Sequence, residues 1–187
     1  MALSEAPAER HREVAGVFAE RVRGTRDWEA PAPVEGWTAR DVVRHLVEWF
    51  PAFLRDGGVD LGAVPSVDDD PAAAWQSHAD AVQALLDAPD ADRPFTHPRA
   101  GSHPLNLAID TFYTSDVFMH TWDLARATGQ DDTLDADEAE RMLTGMEPID
   151  DMLRTSGQYG PKVPVPASAP AHERLMGFVG RDPAWRP

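Results

Sequence analysis

Between residues 6 and 23 the apolar side chains Val14, Val17, Phe18 and Val22 recur at steps of three and four, with Glu and Arg between them. That spacing gathers them on one face of an amphipathic helix, which Gly24 ends. The stretch DWEAPAPVEGW carries Pro31, Pro33 and Gly36, all hostile to helix, and predicts a crossing to a second element. Thr38 and Asp41 resemble a capping box, in which the hydroxyl accepts from a first-turn amide and the carboxylate answers the amide of the cap. A second helix is expected over 39–55, with Val42, Val43, Leu46, Val47, Phe50, Phe53 and Leu54 as a broad apolar stripe, kinked or shortened at Pro51. After a Gly- and Asp-rich loop, Pro71 opens a third helix through Ala88 that buries Ala74, Trp75, Val82, Leu85 and Leu86.

PDADRPFTHPRAGSHP has no period and reads as a long loop. A fourth helix is expected over 105–128, stopped by Gly129. A fifth runs over 136–154, with Met142, Leu143, Met146, Ile149 and Leu153 on one face and a bend at Pro148. The prolines of GQYGPKVPVPASAP favour an extended arm, and a short helix over 171–179 follows. No stretch alternates with period two for long enough to make a strand, and no internal repeat is present. The economical fold is all-α: four main helices in a bundle, one domain over 1–187, with 157–187 as an arm and short helix packed on it.

Charge and composition narrow the partners. The net charge of −15 is spread along the chain, which makes nucleic acid and anionic membranes poor partners. There is no cysteine, so disulfides, thiolate ligands and a cysteine nucleophile are excluded, and a metal site must use histidine and carboxylate. The start, MALSEAPAERHREV, has no basic region followed by an apolar run, and no stretch approaches the roughly eighteen apolar residues of a membrane helix, so a soluble cytoplasmic protein is expected.

The seven histidines then hold most of the chemistry. On the fourth helix the inward face runs from Leu105 through Ile109 and Phe112 to Asp116, Met119, His120, Asp123 and Ala127. An ionised carboxylate on an apolar stripe costs several kcal/mol unless it is paired, hydrogen-bonded or bound to metal. Asp116 and His120 are four residues apart and share a helical face, where they can flank one cation or form a simple surface ion pair. His45, beside the apolar stripe of the second helix, is the candidate third ligand, or else a core histidine bonded to a carbonyl. Two imidazoles and one carboxylate suit a catalytic zinc with an exchangeable fourth position, and also non-haem iron; nickel is a further alternative.

Other residues carry weaker signals. Asp123 can accept a hydrogen bond from a ligand imidazole or pair with an arginine such as Arg44 or Arg126. Trp49 and Trp122 either line a pocket near the metal or belong to the core. His97 and His103, in the long loop, are either solvated or a lid or general base over the site. His78 is the substitute ligand should Asp116 fail, and His11 and His172 read as surface residues. Asp68, Asp69 and Asp70 complement the positive end of the third helix.

PVEGWTARDVVRHLVEW resembles the helix-two signature of the DinB-like and mycothiol-dependent maleylpyruvate isomerase N-terminal superfamily, in which a Gly-Trp-Thr turn precedes the helix bearing the first metal histidine. DVFMHTWDLARATGQ resembles the helix-four signature of its actinobacterial metal-binding branch, and YGPKVPVPASAPAHERLMGFVGRDPAW is similar to that branch's ending. The resemblance covers nearly the whole chain and implies a DinB-like four-helix bundle with His45, Asp116 and His120 as ligands of a divalent metal, zinc first. The related isomerases have glutamate where Asp116 stands. The shorter aspartate implies closer helices or a bridging water. They also carry a further C-terminal domain that contributes a catalytic arginine, whereas this chain has an arm and a short helix.

The resemblance further implies that the working thiol is a small molecule, mycothiol, acting on a small electrophile. The expected function is a metal-dependent thiol transferase or isomerase. Metal-activated hydrolysis, a non-catalytic metal- or ligand-binding module, and an acidic protein-interaction surface on a metal-stabilised bundle stay open as alternatives. A homodimer through helix faces is compatible with such a bundle.

Overall fold

In the computed structural model, which describes residues 2–187, the expected helices form with their ends shifted by at most two residues. Helix α1 spans Pro7–Gly24, α2 Ala39–Asp56 and α3 Pro71–Leu86. The fourth expected helix is one continuous rod in three parts: α4 (Leu105–Ala108), a π-helical turn (Ile109–Thr114) and α5 (Ser115–Thr128). These rods make an all-α bundle in which α1 packs on α3, the π-turn and α5, while α2 packs on α5 and α3. The core between them is built from Phe18, Leu46, Phe50, Trp75, Tyr113 and Trp122, all fully buried. Among the described residues no helix is long and apolar enough to cross a membrane.

Local chemistry sets the ends of the rods. Thr38 and Asp41 form the capping box, with Asp41 Oδ2 accepting from the Thr38 amide at 2.9 Å. Asp70 accepts from the amides of Ala72 and Ala73 at 3.0 Å each and so starts α3, while Asp68 pairs with Arg44. Gly129, at φ 65°, closes α5 in the left-handed region that a side chain avoids. Pro51 does not end α2: its missing N–H forgoes one backbone bond, but Phe50, Pro51 and Leu54 stay packed and carry the helix on to Asp56.

The long loop is more ordered than its composition suggests. Pro94–His97 (β1) and Gly101–Pro104 (β2) pair antiparallel, Phe95 opposite His103. Four-residue strands are too short to leave a period in the sequence. Phe95 anchors the hairpin by filling space against Gly57, where an added Cβ would meet its ring. The fifth expected helix breaks into α6 (Ala136–Met146), a 3₁₀ turn (Glu147–Ile149) around Pro148, and α7 (Asp150–Thr155). The tighter turn rotates Ile149 out of the apolar face, and it is 41% exposed.

The arm after α7 leads to α8 (Ala171–Phe178), which packs on α6. Val163 donates its amide to Gly177 O at 2.9 Å, stitching arm to helix. Gly180 ends α8 at φ 93° in close contact with Gly160, and the Arg181 amide reaches back to Met176 O at 2.8 Å. This C-terminal closure fixes the direction in which Arg181 leaves the helix.

Candidate metal centre

Three side chains from two helices converge where α2 crosses α5. His45 Nε2 lies 3.0 Å from Asp116 Oδ2, and His120 Nε2 lies 3.4 Å from Asp116 Oδ1. One ligand atom from each of His45, Asp116 and His120 falls within 4.8 Å of the others. Ligands about 2.1 Å from a tetrahedral zinc stand roughly 3.4 Å apart, so the donor set fits one ion with small adjustments. The helices that carry the shorter aspartate and His45, α5 and α2, are in direct contact.

The site is graded from dry to wet. The His120 side chain is 5% exposed, Asp116 18% and His45 31%, so access to the centre is from the His45 side. Trp37 stacks over His120 with centroids 5.7 Å apart and leans on His45 at 5.1 Å. It is carried there by the turn between α1 and α2, where Ala32 and Trp37 exchange a backbone bond around Gly36. Trp49 donates its indole N–H to Asp116 Oδ2 at 2.9 Å, so it belongs to the site, whereas Trp122 is core beneath Arg126. Burial pushes the Asp116 carboxyl up, but the neighbouring His120 and the hydrogen bond from His45 outweigh it and hold the carboxyl below its ordinary range.

Asp123 does both things that the sequence left open. Its Oδ2 accepts from His120 Nδ1 at 2.8 Å, so the ring turns Nε2 toward Asp116, and in the neutral ring that is the nitrogen free to meet a cation. Its arginine is neither Arg44, which pairs with Asp41 and Asp68, nor Arg126, which pairs with Asp132. Arg181 from beyond α8 takes the role, with Nε 3.2 Å from Oδ1 and Nη2 3.1 Å from Oδ2. Burial alone would raise the fully buried Asp123 carboxyl, but Arg181 and His120 bring it below the ordinary value. Tyr159 of the arm is pushed up to about 12 by burial and by the Asp116 charge, which puts the arm within electrostatic reach of the centre.

The remaining histidines lie elsewhere. His97 Nδ1 accepts from the amides of Arg99 and Ala100, and His103 Nε2 bonds Ala100 O, so one nitrogen of each ring is engaged in the hairpin turn and neither residue joins the cluster. His78 is sealed in the core against Tyr113 and is not part of the cluster. His11 corrects the surface reading: it is fully buried, with Nδ1 2.9 Å from Thr114 Oγ1. The π-turn makes this pairing, because its extra residue widens the buried face and brings Asp110 and Thr114 onto Arg10 and His11 of α1. Arg181 and Trp37 are the site residues that sequence reasoning missed. A buried Asp123 asks for a cation, but many basic residues could answer, and nothing local to Asp123 says which.

Two comparisons with known proteins bear on this centre. An uncharacterized protein of Mycobacterium tuberculosis, found in strains CDC 1551 / Oshkosh and ATCC 25618 / H37Rv, is 29% identical over 153 residues, which covers 81% of this chain and 83% of the relative. No solved structure matches. The family model described as the mycothiol maleylpyruvate isomerase N-terminal domain matches residues 9–125, a span that includes most of α1, all of α2 and all three clustered side chains. The chain therefore belongs to the mycothiol maleylpyruvate isomerase N-terminal domain family.

Proposed function

We propose that the protein binds one divalent metal ion, zinc first, through His45, Asp116 and His120, and uses it as a thiol transferase or isomerase acting with a mycothiol-type thiol on a small electrophile. The observation that carries the reading is the convergence of two imidazoles and a carboxylate, with the far nitrogen of His120 already engaged by Asp123. A bare polar pair would not need that support, whereas a metal-ligating imidazole gains orientation and basicity from it.

A divalent ion at this position supplies Lewis acidity, the means by which a small-molecule thiol becomes a thiolate at neutral pH in a chain without cysteine. The protein's own groups set the stage. Asp116 contributes negative charge, held toward the centre by the Trp49 indole. Trp37 covers both imidazoles and keeps bulk water from their faces. The half-exposed side of His45 is the approach for thiol and electrophile.

The test is metal content by elemental mass spectrometry on protein purified without a metal-affinity tag, beside His45→Ala and His120→Ala. About one metal per chain, lost in both variants, is expected; a wild type that stays empty after incubation with zinc, nickel and iron overturns the reading. The loaded protein is then offered an electrophile with mycothiol, with glutathione and with neither. Thiol consumption that needs the metal supports transfer, and thiol-independent hydrolysis replaces it as the reaction.

A further inference from the structure

The His120, Asp123 and Arg181 chain joins parts of the molecule that are distant in sequence. Arg181 lies 58 residues beyond Asp123 and outside the residues matched by the family model. Asp123 is fully buried, and its side chain has two partners: the imidazole of His120 and the guanidinium of Arg181. The fork meets the carboxylate through two nitrogens, and such a pairing fixes a plane as well as supplying charge. Tightly packed glycines set Arg181 itself: an added Cβ on Gly180 would lie 2.9 Å from Gly160 Cα and 3.0 Å from Pro161 O. The neighbouring Arg154 ties the same corner by donating to Gly160 O and Phe178 O.

We propose that Arg181 is a positioning residue for the metal centre: by fixing the Asp123 carboxylate against His120 Nδ1, it selects the tautomer that presents Nε2, and so couples metal affinity to the docking of the C-terminal arm. This rests on His120 being a ligand. Without Arg181, Asp123 is a buried carboxylate held by a single donor and free to rotate, and the ring above it, though still packed under Trp37, loses the fixed acceptor that decides which nitrogen carries the proton. The bundle alone supplies the ligands, and the arm supplies their alignment.

Zinc affinity, read by competition with a chromophoric chelator, tests this on the full chain. Arg181→Met keeps the aliphatic stem but removes the fork, and is expected to weaken zinc binding about 10- to 100-fold, the range for losing a group that orients a ligand. Arg181→Lys is expected to fall between the two, and Arg186→Ala, a nearby arginine bonded only to backbone carbonyls, to match wild type. If Arg181 acts through Asp123, the double variant Arg181→Met/Asp123→Asn binds zinc no more weakly than Asp123→Asn alone.

Nitrogen-15 NMR of His120 in metal-free protein gives a readout independent of metal. The wild type should show the Nδ1–H tautomer, and Arg181→Met a mixture; should Arg181→Met fail to fold, Arg181→Lys serves in both measurements. Wild-type zinc affinity and tautomer in the variant, or additive losses in the double variant, overturn the proposal. A wild type that binds no zinc defeats the metal reading instead, while the tautomer still judges the alignment.

Discussion

His45 and His120 share a carboxylate, and His45 opens to solvent, whereas His11 and His78 face neither carboxylate nor solvent. The second pair sits deep between α1, α3 and the π-turn, with Tyr113 ring centroids 5.8 Å from His11 and 5.4 Å from His78. Among the described residues, His11 Nε2, both ring nitrogens of His78 and the Tyr113 hydroxyl have no hydrogen-bond partner. Around the first pair, Asp116, Asp123, Trp49 and Arg181 satisfy one another. The difference shows what sets apart a helical histidine that could serve as a ligand. Burial alone makes an imidazole neutral and inert, whereas His120 lies between two carboxylates and His45 combines one carboxylate with an open flank, the surroundings a cation would need to enter and be held.

Acid separates the two regions most strongly. Burial, aided by Arg12 and opposed by Asp87, lowers His11 from 6.5 to about 4, and burial, aided by His11, lowers His78 from 6.5 to about 3. The unfolded chain therefore binds protons that the folded one refuses. The stability these neutral rings allow is whole above pH 6.5 and is lost as pH falls from 6.5 toward 4 and 3. At pH 4.5 the two together cost roughly 5 kcal/mol, seen as a falling midpoint in urea denaturation.

Cutting the paired region comes next. Asp123→Ala strands the Arg181 guanidinium in the interior and should cost about 3–5 kcal/mol by the same measurement, while Asp116→Ala leaves only imidazoles and an indole, which carry no obligatory charge, and should cost less. His78→Leu goes the other way. It replaces a ring with two unpartnered nitrogens by an apolar group of similar volume, and a gain of about 1–3 kcal/mol at pH 7, with a flatter response to acid, is expected. Smallest is Trp49→Phe, which loses one partly exposed hydrogen bond to Asp116 and about 1 kcal/mol in the metal-free protein. Were His78→Leu to destabilise instead, the second region would be satisfied by internal water and the contrast would narrow.

Much of this was legible in the chain. Helices α1, α2 and α3 were readable because their apolar stripes are long and their caps are local, as Thr38 with Asp41 shows. Asp116 and His120 could be joined because a helix fixes the i,i+4 spacing within one segment. The hairpin was missed because its strands are four residues long, and the burial of His11 because it depends on the π-turn widening a face of another helix. Nothing local to His11 reports that.

The all-α class, the placement of carboxylates on an apolar face and the restriction of any metal site to histidine and carboxylate could be read from the chain before any fold was known. These follow from periodicity and composition, which act over a few residues or over the whole chain. That Arg181 answers Asp123, that Trp37 covers the imidazoles, and that His78 and one nitrogen of His11 find no hydrogen-bond partner among the described residues came from the packed fold alone. Each of those depends on which side chains meet across helix interfaces, and that is set by the packing of the entire bundle, because a buried charge is stabilised by whichever partner the fold brings within about 3 Å.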